Sequence, residues 1–254
     1  MNHQTMKGQD ILNKLRQERF NQQTETILSM HPFLLAAEKG SLTNAQRKAF
    51  AQEQYFIQLS DAISFASLAG HLNFNPSSLT NVLTPTQQPN DNNKADIENN
   101  GKTQDLFQFL LGGEIFASSL LLDYAKHFDL DEASLAAYSP IAKAQGYPSY
   151  WSRLALSKNR AAGAAACAVN FPAWGEMCRR LYDALQNQDL NYGYDINDKA
   201  LAFIRFFASP IEDLDKMAVA ILEEENATYE EVVDHVRLLQ EYEVLFWDAI
   251  YEVK

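Results

Sequence analysis

Glu243 is a carboxylate placed inside an apolar helical stripe near the end of the chain. The apolar members recur at helical spacing: Val232, Val236, Leu239, Phe246 and Ile250. Glu243 falls on the same stripe, four residues after Leu239 and three before Phe246. Burying a carboxylate is costly unless it is paired or protonated. The pattern therefore fits either a structural ion pair at the stripe's edge or an acid that works inside a pocket.

A second apolar stripe carries three polar side chains at positions i, i+4 and i+7, namely Gln54, Gln58 and Asp61. They lie between apolar turns that contain Phe50 and Phe65. Polar groups converging from an apolar face are typical of the wall of a small-molecule pocket. A helix whose middle faces solvent gives the same pattern.

Pro172 interrupts a long helical stretch, and Trp174 and Glu176 follow it. A proline inside a helix frees a backbone carbonyl and bends the helix. An aromatic side chain and an acid beside such a bend can shape a cavity, although a bend that serves only packing is an equal alternative. Aromatic walls could also come from Tyr147, Tyr150 and Trp151, for which core packing is the default explanation.

The histidines and cysteines do not form a recognisable metal or redox motif. None of the five histidines pairs with another at helical spacing, and the sequence has no Glu-x-x-His, so we expect no metal site. There is also no Cys-x-x-Cys, phosphate-binding loop or nucleophile elbow, and the sequence leaves any cofactor unknown. Cys167 and Cys178 would lie about 16 Å apart on one helix, too far for a disulfide.

Net charge and hydropathy restrict the partners and the location. The formal charge of -12 disfavours nucleic-acid binding. By our reading of the sequence no apolar run approaches the roughly 18 residues that are needed to span a bilayer, so we expect no membrane partner. The polar start has no signal-peptide pattern, and unpaired cysteines suit a reducing compartment. We therefore expect a cytoplasmic protein.

Helical periodicity dominates the chain, so the predicted fold class is all-α, in a single domain over residues 1–254. The predicted helices cover about 7–30, 32–40, 43–72, 103–127, 133–144, 148–185, 197–208, 211–225 and 228–252. Thr43 with Gln46, and Thr228 with Glu231, have the spacing of capping boxes. The Asn- and Pro-rich stretch at about 75–102 is predicted to be a mobile loop.

Five short elements, in this order, resemble the TenA (thiaminase II) family. They are His31-Pro-Phe33, Gly40-Ser-Leu-Thr43, Glu53-Gln-Tyr55, Phe207-Ala-Ser209 and Glu243-Val-Leu-Phe-Trp-Asp248. That family belongs to the haem-oxygenase-like superfamily, together with PqqC and the CADD-like proteins. The resemblance implies a bundle of seven to eight helices around a central pocket, in a homo-oligomer.

The resemblance also implies which catalytic residues are kept. The family's nucleophilic cysteine corresponds to Ala173, its aspartate to Gln54, and two pocket tyrosines to Ile57 and Phe207. Only the glutamate of the last helix, Glu243, is retained, and it is the candidate catalytic residue. Without a thiolate the covalent step of thiamin hydrolysis has no nucleophile. We therefore do not expect a conventional thiaminase.

Three functions stay open at this point. The leading hypothesis is a protein that binds a small aromatic or heterocyclic metabolite in its central pocket, whether or not it acts as an enzyme. The alternatives are an oxidase of the CADD or PqqC type in cofactor biosynthesis, and a non-enzymatic interaction protein on the same fold. The candidate ligand-binding residues are Gln54, Gln58, Asp61, Tyr150, Trp174, Glu176, Phe207 and Trp247.

Overall fold

A computed structural model describes residues 7–82 and 103–254, which contain α-helices, short 3-10 turns and no β-strand. Eight of these helices have ten residues or more, and four are shorter. In chain order they are α1 (Gly8–Gln17), α2 (Arg19–Ser29), α3 (Pro32–Glu38), α4 (Asn44–Leu68), α5 (Leu79–Val82), α6 (Leu106–Lys126), α7 (Glu132–Ala136), α8 (Gly146–Leu156), α9 (Arg160–Gln186), α10 (Ala202–Phe207), α11 (Leu214–Glu224) and α12 (Tyr229–Tyr251). The all-α prediction is confirmed.

Side-chain caps fix where the site-bearing helices begin. At α4 the Thr43 hydroxyl accepts from the Gln46 backbone N–H at 3.1 Å, and the Gln46 side chain accepts from the Thr43 N–H at 3.0 Å. At α12 the Glu231 carboxylate accepts from the Thr228 N–H at 2.9 Å. These bonds satisfy backbone donors that have no partner within the helix.

Two of the predicted helices are each divided in two by a short break. Glu18 has an extended backbone, with ψ of 143°, and it separates α1 from α2. Lys158 has a φ of +53°, and it lies in the break that separates α8 from α9. The Asn159 side chain then caps α9 by accepting from the Ala162 N–H at 3.0 Å. Helix α9 itself continues through Pro172.

The segment predicted as a mobile loop is only partly described. Within 75–82 it contains the short helix α5. Residues 83–102, which hold most of the Asn- and Pro-rich sequence, lie outside the described residues. The predicted helix at 133–144 is also shorter in the structure, where α7 ends at Ala136.

The core consists of two apolar clusters joined at their border. Phe50, Tyr124 and Trp247 belong to one, and Phe65 and Trp151 to the other. Leu59 and Tyr147 pack against both clusters. Helix α4 packs on α6 and α8, and α9 packs on α11 and α12. This arrangement brings α4, α6, α9 and α12 around one interior space.

Helix α6 is long and apolar enough, by length and composition alone, to cross a membrane. The sequence prediction overlooked this. In the structure α6 packs against α4 and α10, and 44% of its apolar window is buried. Core helices of soluble proteins meet the same criterion, so this single helix is weak evidence for a membrane span.

Candidate functional site

A cavity of about 1250 Å³ lies between α4, α6, α9 and α12 and opens near the connection of α10 to α11. Its entrance is lined by exposed side chains between Ser209 and Lys216. Its inner wall carries buried polar side chains from three helices: Gln54, Gln58, Asp61, Glu114 and Glu243. The cavity is therefore accessible at one end and lined with carboxyl groups at the other.

Glu243 of α12 is 2% exposed and lines this cavity. Its carboxylate accepts a hydrogen bond from the Asn170 side-chain amide of α9 and another, at 3.3 Å, from the Trp247 indole N–H. Among the described residues no basic side chain forms a salt bridge with it. Burial raises the pKa of Glu243 to about 7, although the two hydrogen bonds oppose this rise. Glu243 can therefore hold or release a proton near neutral pH.

Asp61 of α4 and Glu114 of α6 form a second buried acidic group. The Gln58 side chain donates to the Glu114 carboxyl at 2.5 Å. Burial raises the pKa of Glu114 to about 8, and burial together with the neighbouring Glu114 charge raises that of Asp61 well above its usual value. Two nearby buried carboxyl groups do not both ionise readily, so burial and mutual repulsion favour retention of a proton by this pair.

Aromatic side chains form the other walls. Tyr147, Phe171, Trp174, Phe207 and Phe246 all line the cavity. The Trp174 ring lies 5.9 Å from Phe207 and 5.9 Å from Phe246, between ring centroids. Burial raises the pKa of the Tyr147 hydroxyl well above its usual value, and the charges of nearby Asp61 and Glu243 add to this rise. The walls are suited to a flat ring, with acidic groups at its edge.

The model of the TENA/THI-4/PQQC family matches residues 18–253. The chain belongs to this family.

Solved structures give the same fold. The TenA homologue protein from P. horikoshii OT3 superposes with a TM-score of 0.58 at 15% identity, covering 95% of this chain and 98% of that one. A domain of unknown function with a heme oxygenase-like fold, from Shewanella denitrificans OS217, superposes with a TM-score of 0.60 at 15% identity, covering 95% and 92%. A comparison with curated proteins gave no match. The haem-oxygenase-like fold expected from the resemblance is confirmed.

This TENA/THI-4/PQQC family member has no thiol in its cavity wall. Cys167 and Cys178 are fully buried, neither lines the cavity, and burial raises the pKa of both thiols well above the usual value. Ala173, where the sequence comparison placed the missing nucleophile, does not line the cavity either. The α9 residue that reaches Glu243 is Asn170, one turn earlier.

The structure brings most of the predicted site residues together. The cavity is lined by Gln54, Gln58, Asp61, Trp174, Glu176, Phe207 and Glu243. Glu176 lies at the exposed entrance, where Arg179 donates to it at 2.7 and 2.8 Å and lowers its pKa. Trp247 does not line the cavity but donates to Glu243.

The prediction that Tyr150 contacts a ligand in the cavity is not supported by its position in the structure. It does not line the cavity, and its hydroxyl lies 2.6 Å from Nδ1 of His235. Its ring packs beside Tyr242, with centroids 5.6 Å apart. Tyr147, three residues earlier on α8, faces the cavity instead.

Two residues that matter for the site escaped the sequence prediction. Glu114 is the only charged residue between 106 and 122, and this signal in an apolar helix could have revealed it. Asn170 has no comparable signal, because its role depends on contact with Glu243 on another helix.

The described side chains of the cavity wall do not have the arrangement of a dinuclear metal centre. In residues 7–82 and 103–254 no group of three or more histidine, cysteine or acidic side chains is arranged to hold a metal ion. The cavity wall formed by these residues contains carboxyl groups but neither imidazole nor thiol.

Proposed function

We propose that this protein binds a small aromatic or heterocyclic metabolite in the cavity, with Glu243 as the acid, base or hydrogen-bonding anchor that contacts it. One observation carries the proposal: Glu243 is buried in an aromatic-walled cavity without a cationic partner among the described residues. A carboxylate kept for stability alone is normally neutralised by a cation or saturated with donors.

The walls support a ring-shaped ligand. Trp174, Phe207 and Phe246 offer apolar faces, which gain free energy when a flat ring displaces water from them. Glu243 supplies a group that accepts a hydrogen bond when ionised and donates one when protonated. Because its pKa is about 7, both forms are populated at neutral pH.

The absence of a thiol from the described wall supports a function other than thiamin hydrolysis by a covalent route. The cavity of about 1250 Å³ provides room for a ligand, which a purely structural interaction protein would not need. A cytoplasmic homo-oligomer remains our proposal for location and assembly, and light scattering of the purified chain tests the assembly.

The decisive experiment identifies what co-purifies. Native mass spectrometry and solvent extraction would be applied to wild type, Glu243→Gln and Glu241→Gln, all purified alike. Glu241 is an exposed residue of the same helix and pairs with Arg237, so it is a matched control. We expect a bound aromatic metabolite in wild type and Glu241→Gln, with much reduced occupancy in Glu243→Gln. Equal occupancy in all three proteins would show that Glu243 does not anchor the metabolite.

Iron or manganese analysis of the same samples, purified without chelator, separates this proposal from the metal-dependent oxidase. We expect substoichiometric metal. One or two metal ions per chain would favour the oxidase.

A further inference from the structure

An aromatic row of five rings runs from the protein surface to the inner end of the cavity. Its members all line the cavity and are, from outside to inside, Phe116, Phe206, Phe207, Trp174 and Phe246. Successive ring centroids in that order are 5.3, 5.1, 5.9 and 5.9 Å apart. Phe116 is 56% exposed, whereas Phe246 is 2% exposed and lies three residues after Glu243 on α12. The aromatic row therefore connects solvent with the wall that carries Glu243.

Helix α6 leaves open space beside the outer end of the aromatic row. Gly112 and Gly113 lie one turn before Phe116, and both line the cavity. Apart from its own helix backbone and adjacent residues, a Cβ atom at Gly112 would meet no described atom within 4 Å. A Cβ atom at Gly113 would lie 3.7 Å from Cζ of Phe206. Glycine is unfavourable within a helix, so two in succession keep this space free of side chains at the expense of helix stability.

The cavity is larger than a single-ring metabolite requires. Its volume is about 1250 Å³. A cavity of about 150 Å³ is enough for benzene, and pockets for drug-sized ligands have roughly 300 to 1000 Å³. A ring placed beside Glu243 therefore leaves most of the aromatic row without a partner.

The chemistry of the wall favours an uncharged hydrocarbon along this row. Phe109, Ile211 and Val219 also line the cavity, and phenylalanine and aliphatic side chains offer no hydrogen-bonding group. They gain free energy when hydrocarbon displaces water from them. Seven acidic but only two basic side chains belong to the described lining, so a phosphorylated or carboxylated extension would meet like charge.

We propose that the aromatic row binds an uncharged hydrocarbon chain, alkyl or isoprenoid, that is attached to the ring at the inner end of the cavity. The chain lies along the row and reaches solvent past Gly112 and Phe116. Each methylene that is buried in this way raises the affinity by up to about fourfold. The inference rests on the proposed function, because it specifies the class of ligand for the same cavity.

A series of para-alkylphenols tests the chain site, because its members share an uncharged aromatic head and differ only in chain length. Calorimetry below the aggregation concentration of each probe would measure the affinities of para-methylphenol, para-butylphenol and para-octylphenol. The proteins would be wild type, Gly112→Leu and Lys126→Leu. Leucine at position 112 fills the open space beside the row, whereas Lys126 is an exposed residue of the same helix outside the cavity lining.

In wild type and Lys126→Leu we expect the affinity to rise at least about a hundredfold from the methyl to the octyl probe. Gly112→Leu should bind para-methylphenol as wild type does, and para-octylphenol at least about tenfold more weakly than wild type. If Gly112→Leu does not fold, Phe116→Ala takes its place. It should weaken para-octylphenol about fivefold and leave para-methylphenol unchanged, because it shortens the row at its exposed end.

Three results would overturn the proposal: equal affinity of wild type for all three probes, no binding of para-octylphenol, or an undiminished octyl affinity in Gly112→Leu. Glu243→Gln separates this inference from the proposed function. If the three probes bind wild type equally and Glu243→Gln weakens them all, the proposed function stands and the chain site is wrong. If Gly112→Leu removes the octyl preference while Glu243→Gln changes nothing, the chain site stands and Glu243 does not anchor the ring.

Discussion

Replacing Glu243 by glutamine should make the protein more stable at alkaline pH, and the size of the effect follows from the pKa. Burial raises the pKa of Glu243 from 4.5 to about 7. The folded state therefore binds the proton more tightly than the unfolded state does. As pH rises from about 4.5 to 7, the unfolded chain ionises and the folded chain does not, so this group lowers the stability progressively.

The magnitude comes from about 1.4 kcal/mol for each unit of pKa difference. Integration gives a cost of about 1 kcal/mol at pH 5 and about 3 kcal/mol at pH 8. Glutamine has nearly the same shape and still accepts from Trp247, while its amide can donate to Asn170 Oδ1, which has no partner among the described residues. We therefore expect Glu243→Gln to gain roughly 2 kcal/mol relative to wild type between pH 5 and pH 8.

Urea unfolding of wild type, Glu243→Gln and Glu241→Gln at both pH values measures this difference. Asp61 and Glu114 also titrate, but they are common to all three proteins and cancel in the comparison. Glu241 is exposed, so Glu241→Gln should follow wild type within about 0.5 kcal/mol. A Glu243→Gln variant that tracks wild type in parallel from pH 5 to pH 8 would refute the claim that this carboxyl is held protonated by burial.

Three further outcomes follow from the same structure. Both thiols should react slowly with a thiol reagent in the native protein and promptly in denaturant, because Cys167 and Cys178 are fully buried. Rapid native reaction would contradict their placement. Glu53→Gln should destabilise the protein by about 2 kcal/mol or more in thermal unfolding, since it removes a buried carboxylate that accepts three donors. Tyr150→Phe should leave metabolite occupancy unchanged, because Tyr150 bonds to His235 outside the cavity; reduced occupancy would return it to the site.

Much of the fold could be predicted from local sequence. Apolar spacing and the caps at Thr43 and Thr228 locate α4 and α12 within a few residues. The break at Glu18 could not be predicted, because glutamate has no turn preference. The break at Lys158 had a signal that the prediction missed, since Asn159 is a preferred N-cap residue. Tertiary context can override local propensity at such positions.

The site was predictable where polar residues interrupt an apolar stripe, and less so elsewhere. Gln58, Asp61 and Glu243 were found by that signal, and they do line one cavity. Tyr150 was misplaced because aromatic composition does not reveal how α8 is rotated about its axis. Asn170 could not be assigned a role without the structure, because its partner lies 73 residues away in the chain.

The contrast among the buried carboxyl groups argues for what the cavity does. Glu53 shows that this fold can saturate a buried acid with donors from neighbouring elements. Glu243 has only Asn170 and Trp247, and Asp61 has an oxygen with no partner in the described chain. Burial without full satisfaction lowers the stability of the empty protein, and a ligand that supplies donors removes that cost. The buried acids Glu243 and Asp61, which line the cavity, are thus paired less completely than Glu53, as expected if the missing partner is the metabolite.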